Sequence, residues 1–319
     1  MKPPYQLTDK ILKSIVSISE KLGEIKALHL YKPPTELRKK NRIKTIQSSL
    51  EIEGNTLGED QITALLENKR VLAPQKDIIE VQNAIQVYER LYEFDPYRLT
   101  DLEKAHGILM NGLIERAGKL RTENVGIVKG SIVEHIAPNG SMIKGLMKDL
   151  FNYLKTDEDI VLVKSCVFHY EFEFIHPFSD GNGRMGRLWQ TLILMQEYPI
   201  FEYLPVESLI KSNQETYYGA LSQSDKNGSS TPFIEYMLTI ILQALDNLLA
   251  SQNKKLTAPD RIELYRTIIG TKSFSRKDYL VNFREISEAT ASRDLKWGTE
   301  QAILIKSGDK RLTKYEYIK

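Results

Sequence analysis

From Val161 to Ile175 the chain reads VLVKSCVFHYEFEFI, then turns at once into HPFSDGNGRMGR, His176 to Arg187. A run of that length, apolar on nearly all sides, predicts a helix buried all round. A helix so enclosed needs packing partners on every side, and the flanking stretches supply them as further helices. TDKILKSIVSISEKLGEIKAL (Thr8–Leu28) begins on a Thr cap, and its apolar residues fall at helical spacing. YKPP (Tyr31–Pro34) breaks it, and TELRKKNRIKTIQSSLEIE carries a second helix to Gly54–Asn55. A third is expected near Asp60–Glu67, a fourth in KDIIEVQNAIQVYERLYEF, and a fifth, with a Thr cap, over Leu99–Ile114. SMIKGLMKDLFNYL, RLWQTLILMQEY, SLIKSNQETYYGALSQSD and TPFIEYMLTIILQALDNLLASQ each read as one helix more. The exception is NVGIVKGSIVEHIAP (Asn124–Pro138), two short β-rich runs about a Gly-Ser turn, which predicts a hairpin. The expected class is all-α with one small β-hairpin.

The last part of the chain differs in charge. Net charge is +2 overall, but Asn253–Lys319 holds 15 Lys+Arg against 9 Asp+Glu, a net of +6, so the remainder is at −4. That asymmetry suggests a small basic module appended to a mildly acidic body. SQNKKLTAPD (Ser251–Asp260) reads as the linker, RKDYLVNF and SEATASRDLKWGTEQA as two helices joined at REI, and ILIKSGDKRLTKYEYI as a hairpin turning at Gly308. Helix, helix and basic hairpin outline a winged helix-turn-helix. The lone Cys166 excludes an internal disulfide and fits a reducing compartment. MKPPYQLTDKILKS has no apolar core of a leader and no uncharged apolar run of 18 residues is present, so the expectation is a cytoplasmic protein with no membrane partner.

HPFSDGNGRMGR carries the chemistry. If the buried helix ends at Pro177 and the next begins near Gly183, SDGNG brings backbone N–H groups and a helix N-terminus into one small volume. Such a terminus favours an anion, and glycines allow phosphate close to the backbone. Arg184 and Arg187 stand three apart, on one face, with donor forks suited to phosphate oxygens. Cations are disfavoured at that end of a helix dipole, so their placement calls for a bound anion. Asp180 could hold a Mg²⁺ that bridges phosphates. His176, of a residue type with an unperturbed pKa of about 6.5, could serve as general base. His169 and Cys166, on the buried helix, read as core residues.

The stretch HPFSDGNGRMGR resembles the signature of Fic-domain proteins, H-P-F-x-[D/E]-G-N-[G/K]-R-x-x-R, at every defining position. LTDLEKAHGILM, GKLRTENVGIV, HIAPNGSMIKGLMKDLFNYL and the YYGAL region are also similar to that family, over roughly Leu99–Leu249. The resemblance implies a Fic-type helical bundle with a β-hairpin flap, divided as an N-terminal helical region (1–95), a catalytic core (96–252) and a C-terminal winged helix-turn-helix (253–319). It implies transfer of AMP from ATP, with Mg²⁺, onto a Tyr, Thr or Ser hydroxyl of a target protein. His176 would then deprotonate the hydroxyl and Asp180 would hold Mg²⁺ at the α- and β-phosphates. Asn182 with the N–H groups of Gly181 and Gly183 would form the α-phosphate anion hole. Arg184 would neutralise the leaving pyrophosphate, and Arg187 would fix the γ-phosphate. Tyr217 and Tyr218 resemble a family pair near the adenine, with Asp225 where some members carry Asn. The hairpin at 125–138 would dock the target by adding its backbone to a strand edge.

SSLEIEGN (Ser48–Asn55) places Ser49 and Glu53 one turn apart on one helix face, with Ile46 and Leu50 as the apolar stripe and Gly54 as the terminating glycine. It resembles the family's inhibitory motif [S/T]-x-x-x-E-[G/N]. This implies that Glu53 pairs with Arg187 in place of the γ-phosphate; in some relatives the same Glu supports removal of AMP. For the basic module two readings stay open. Either Arg293, Lys296, Lys310 and Arg311 meet DNA phosphates, with Ser292 and Thr290 near base edges, or the module binds protein. Two rival functions also stay open: a DNA-binding regulator whose Fic domain senses nucleotide, and a Fic-type transferase of phosphate or phosphocholine. A homodimer is compatible with the sequence.

Overall fold

In the computed structural model, residues 2–28, 35–129, 132–252, 256–284, 286–309 and 312–318 are described. The helix-breaking YKPP, the hairpin's Gly-Ser turn, and Lys310 and Arg311 lie outside these residues. The chain divides into two compact units, Met1–Leu248 and Leu249–Lys319.

The apolar run forms α7 (Val161–Ile175), in which Cys166, Val167, Phe168, His169 and Phe172 have no exposed surface. It packs along α8 (Asn182–Met195). Gly186 permits the approach, since a Cβ there would come within 2.9 Å of the His169 ring. Of the helices before this pair, α1 (Asp9–Ala27) comes first; α2 (Thr35–Ile52) packs on α8, α3 (Glu59–Leu66) and α4 (Gln75–Glu89) pack on α2, α5 (Leu99–Leu109) packs on α4, and α6 (Ile143–Thr156) packs on α7. After α8 follow α9 (Val206–Ser212), α10 (Gln214–Asn227) and α11 (Thr231–Gln252). Thr8 caps α1 by accepting from the Ile11 N–H, as the sequence predicts. Between α5 and α6 stands an antiparallel hairpin, β1 (Gly126–Lys129) and β2 (Ile132–Ile136), with an irregularity in register between Ile127 and Val128. Thr231–Ala250 is long and apolar enough to cross a membrane, yet Phe233, Ile234, Met237, Leu238, Ile241 and Leu245 along it have no exposed surface. Those residues line the unit's core.

Three of the boundaries that differ from expectation have a visible cause. α5 stops at Leu109 rather than Ile114, and its N-cap is Arg98 while Thr100 lies inside the helix. Asn83 Nδ2 donates to the carbonyls of Leu109 and Asn111, taking up helix-end acceptors that a longer helix would bond internally. The stretch Ser208–Asp225 is two helices, broken at Asn213, whose side chain turns back to the Leu209 carbonyl. The third difference is in the second unit. Part of the expected linker opens a helix, α12 (Ala258–Ile269), in which Thr257 and Asp260 form a reciprocal capping box.

The second unit continues with α13 (Arg276–Asn282), α14 (Glu288–Glu300) and an antiparallel pair, β3 (Leu304–Ser307) and β4 (Lys314–Tyr317). Its own core gathers Ile262, Tyr265, Phe274, Tyr279, Leu295 and Leu304. A buried ion pair, Arg261 Nε to Asp294 at 2.6 Å, crosses it from α12 to α14.

Candidate active site

The site is built where α7 ends and α8 begins. His176 closes α7 in the left-handed conformation, with φ at 49°, and its N–H still bonds the Phe172 carbonyl. A side chain in that region costs energy that glycine avoids, so surrounding contacts must hold it. Phe178 is fully buried and stacks on His106, with centroids 3.6 Å apart and planes at 7°. His106 bonds the Asp180 carbonyl through Nε2 at 3.0 Å and accepts the Gly118 N–H at Nδ1. The acceptor at Nδ1 places the proton on Nε2, and burial pushes the ring's pKa down to about 4, so a neutral imidazole props the loop.

Asn182 staples the same loop. Its Oδ1 accepts the Phe178 N–H and its Nδ2 donates to the Phe178 carbonyl, both at 2.9 Å. These bonds fix the side chain on Phe178 and leave the Asn182 backbone N–H at the start of α8 to face an anion. Gly181 is the N-cap of α8 with φ at 82°, and a Cβ there would lie 2.7 Å from Met110 Sδ. The first backbone N–H groups of α8 have no acceptor within the helix, which makes this end a seat for negative charge.

Beside that end lies a carboxylate of the chain itself. Glu53 Oε1 accepts from Arg187 Nη2 at 2.8 Å, and a Cβ added to Gly183 in the first turn of α8 would sit 2.5 Å from the same oxygen. Arg187 is 2% exposed and also donates to the Ser49 hydroxyl at 3.2 Å and the Ser49 carbonyl at 2.9 Å. Burial works against its charge, but Glu53, Tyr217 and Glu173 outweigh burial and push its pKa further up. Ser49, Glu53 and Arg187 therefore meet.

Arg184, 4% exposed, has two carboxylates: Glu80 on α4 and Asp180 in the loop, each at 3.1 Å. Glu80 also accepts from Asn55 Nδ2 at 2.8 Å, just beyond the segment that carries Glu53. Removing Glu80 would leave a buried guanidinium with only the half-exposed Asp180 beside it. Loss of one partner from a buried pair costs about 3–5 kcal/mol. Glu80→Ala is expected to lower unfolding stability by that order, read from a denaturant midpoint at unchanged slope.

Glu53, His176 and Arg187 open onto a cavity of about 180 Å³ whose far wall is Tyr218, Leu221 and Ser222 of α10. Tyr217 is 1% exposed and bonds His169 Nε2 at 3.1 Å, so it backs this wall from the core. Asp225, also on the lining, accepts from the Tyr170 hydroxyl. His169 is tied to Gln190 at 2.7 Å, and burial pushes its pKa down to about 3. The wall of Tyr218 and Leu221 beside Arg187 suits a flat base attached to phosphates. Among the described residues no group of three His, Cys, Asp or Glu could hold a metal by itself. Asp180, half exposed, could contribute one carboxylate to a Mg²⁺ otherwise held by phosphate oxygens.

His106, Glu80 and Arg121, a residue whose bonds are described below, escaped the sequence reading. Glu80 left a signal, since Asp77, Glu80 and Asn83 form a polar row at spacing three on the buried side of α4. In the second unit Arg293 and Lys296 are exposed on α14, but Ser292 is bonded to Arg276, which also pairs with Glu288 at 3.0 Å.

The model of the Fic/DOC family matches residues 96–194. The crystal structure of a Fic family protein from Desulfovibrio desulfuricans is 37% identical with a TM-score of 0.77, the match covering 100% of this chain and 98% of that one. A segment of Fic-1 from Caenorhabditis elegans shares the fold at a TM-score of 0.59 and 19% identity, over 76% of this chain and 74% of that one. Of curated proteins, protein adenylyltransferase fic-1 of C. elegans is 28% identical over 247 residues, 70% of this chain and 46% of the relative. Protein adenylyltransferase Fic of Nematostella vectensis is 27% identical over 261 residues, 77% of this chain and 57% of the relative. The chain spans about half the length of these curated relatives.

Proposed function

The chain belongs to the Fic family, and on that premise we propose that it is a protein adenylyltransferase held in check by its own Glu53. The observation that carries this reading is the Glu53 carboxylate, seated on Arg187 and over the first turn of α8, where a nucleotide phosphate would bind. The curated relatives named as protein adenylyltransferases support the reaction class.

With Glu53 displaced, Arg187 takes the γ-phosphate and Arg184 the β- and γ-oxygens. The N–H groups of Gly181, Asn182 and Gly183 receive the α-phosphate. The adenine lies against Tyr218 and Leu221. A hydroxyl oxygen of the target attacks the α-phosphorus and gives its proton to His176. The bond from the α-phosphorus to the bridging oxygen breaks, and pyrophosphate leaves. Asp180 would hold Mg²⁺, which would neutralise charge on the phosphates. The protein's part is positioning and preorganised charge, with no covalent intermediate on the chain. The target adds its backbone to an edge of the β1–β2 hairpin. Hydrolysis at the same site, with water attacking the α-phosphorus and the target's oxygen leaving with a proton as its hydroxyl, would remove AMP.

Isotope position separates this chemistry from phosphate transfer. Incubated with Glu53→Gly protein, ATP labelled at the α-phosphorus is expected to leave label on protein and ATP labelled at the γ-phosphorus to leave none. The opposite pattern would establish a phosphotransferase.

A further inference from the structure

Arg121 follows α5 in an irregular stretch and is 2% exposed. Among the described residues its guanidinium donates to backbone carbonyls: Nε to His176 at 2.6 Å, Nη1 to Glu123 at 2.6 Å, and Nη2 to Pro138 at 2.8 Å and Ile175 at 3.1 Å. Its own N–H donates to the Pro177 carbonyl at 2.9 Å. Three segments converge on one side chain: the end of α7, the root of β1 and the root of β2.

A buried guanidinium among neutral acceptors is unusual. Burial disfavours its charge and lowers its pKa, with the Glu123 carboxylate pulling the other way. Two of its acceptors are terminal carbonyls of α7, where the helix dipole is negative and a cation is favoured. The Ile175 and His176 carbonyls are among those left without partners at a helix end. His176 itself sits in the left-handed region, with this guanidinium on its carbonyl. The two hairpin roots are pressed together beside it: a Cβ on Gly140 would lie 2.0 Å from the Thr122 carbonyl oxygen, and the Gly140 N–H donates to Asn124 Oδ1.

We infer that Arg121 is a positioning residue, fixing the His176 imidazole relative to the hairpin that presents the acceptor hydroxyl. The inference rests on the transferase reading. Its described hydrogen bonds reach no residue of α8, so the nucleotide's arginines are placed without it. Losing Arg121 therefore disturbs the geometry between base and hydroxyl and leaves ATP binding in place. A displacement near 1 Å at a reacting group costs on the order of 10²-fold in rate.

The test compares Glu53→Gly with Glu53→Gly/Arg121→Lys and Glu53→Gly/Arg121→Gln, all full length. Lysine keeps the charge but not the fork that reaches four carbonyls. For AMP transfer onto the chain itself, kcat is expected to fall on the order of 10²-fold while KM for ATP holds within about twofold. A second readout needs no activity. The His176 imidazole resonances, assigned by their loss in His176→Asn, are expected to shift in Arg121→Lys while those of His106 and His169 stay. If Glu53→Gly transfers no AMP, the transferase reading fails and the histidine spectrum still decides Arg121. Equal loss in kcat and ATP affinity, an unmoved His176 resonance, or failure of both variants to fold would each overturn the inference.

Discussion

Replacing Glu53 with glycine is expected to tighten ATP binding by roughly 10- to 150-fold, the range given by one or two charge-assisted hydrogen bonds released to a phosphate, at about 1.5–3 kcal/mol in all. The expected size of the gain follows from the contacts of Arg187. Arg187 is 2% exposed and bonds Glu53, the Ser49 hydroxyl and the Ser49 carbonyl. Taking away Glu53 removes the charged partner and leaves both Ser49 acceptors, so the guanidinium stays aimed. The same change clears the space over the first turn of α8, where a Cβ on Gly183 would meet the Glu53 oxygen. A phosphate then gains the helix terminus as well as the arginine. Glycine at the end of α2, beside Gly54 with φ at 92°, costs little helix stability. Calorimetry on the two proteins checks this, and equal affinities would mean that Glu53 does not block the nucleotide.

Removing the His176 imidazole produces the second large effect. In the Glu53→Gly background, His176→Ala is expected to lower AMP transfer by about 10²- to 10⁴-fold, the usual contribution of a positioned general base. ATP affinity holds, because Arg184, Arg187 and the start of α8 are placed by Glu80, Ser49 and Asn182 rather than by His176. The comparison is one of rate at saturating ATP. Loss of affinity together with rate would instead make His176 a nucleotide contact.

How much of this could be read from the residues depends on the distance over which each feature acts. The α7 run, the Thr8 cap and the hairpin are local patterns, and each appears where its pattern predicts. The break at Asn213 and the early stop of α5 depend on Asn side chains bonding nearby carbonyls, which hydrophobic spacing does not encode. α12 is missed in the sequence because a polar linker and a capped helix start share the same residue types, here Thr257 and Asp260 of its capping box. In the site, the order of HPFSDGNGRMGR and the spacing of Ser49 and Glu53 bring the main residues into view. Their supports do not show in that way. Arg121 reaches 55 residues along the chain to His176, and Arg184 reaches 104 to Glu80. Such partners are set by tertiary packing, and only the polar row on α4 hinted at one of them.

The most direct test of a self-restrained transferase is intact-protein mass spectrometry after incubation with ATP and Mg²⁺, comparing the native chain, Glu53→Gly and Glu53→Gly/His176→Ala. The account predicts an AMP-sized mass gain in Glu53→Gly alone. A gain of the same extent in the native chain would contradict the restraint, and a gain in the double variant would contradict the base. No gain in Glu53→Gly, under conditions where calorimetry shows it saturated with ATP, would contradict self-modification as a readout of transfer and return the choice to a nucleotide-sensing regulator.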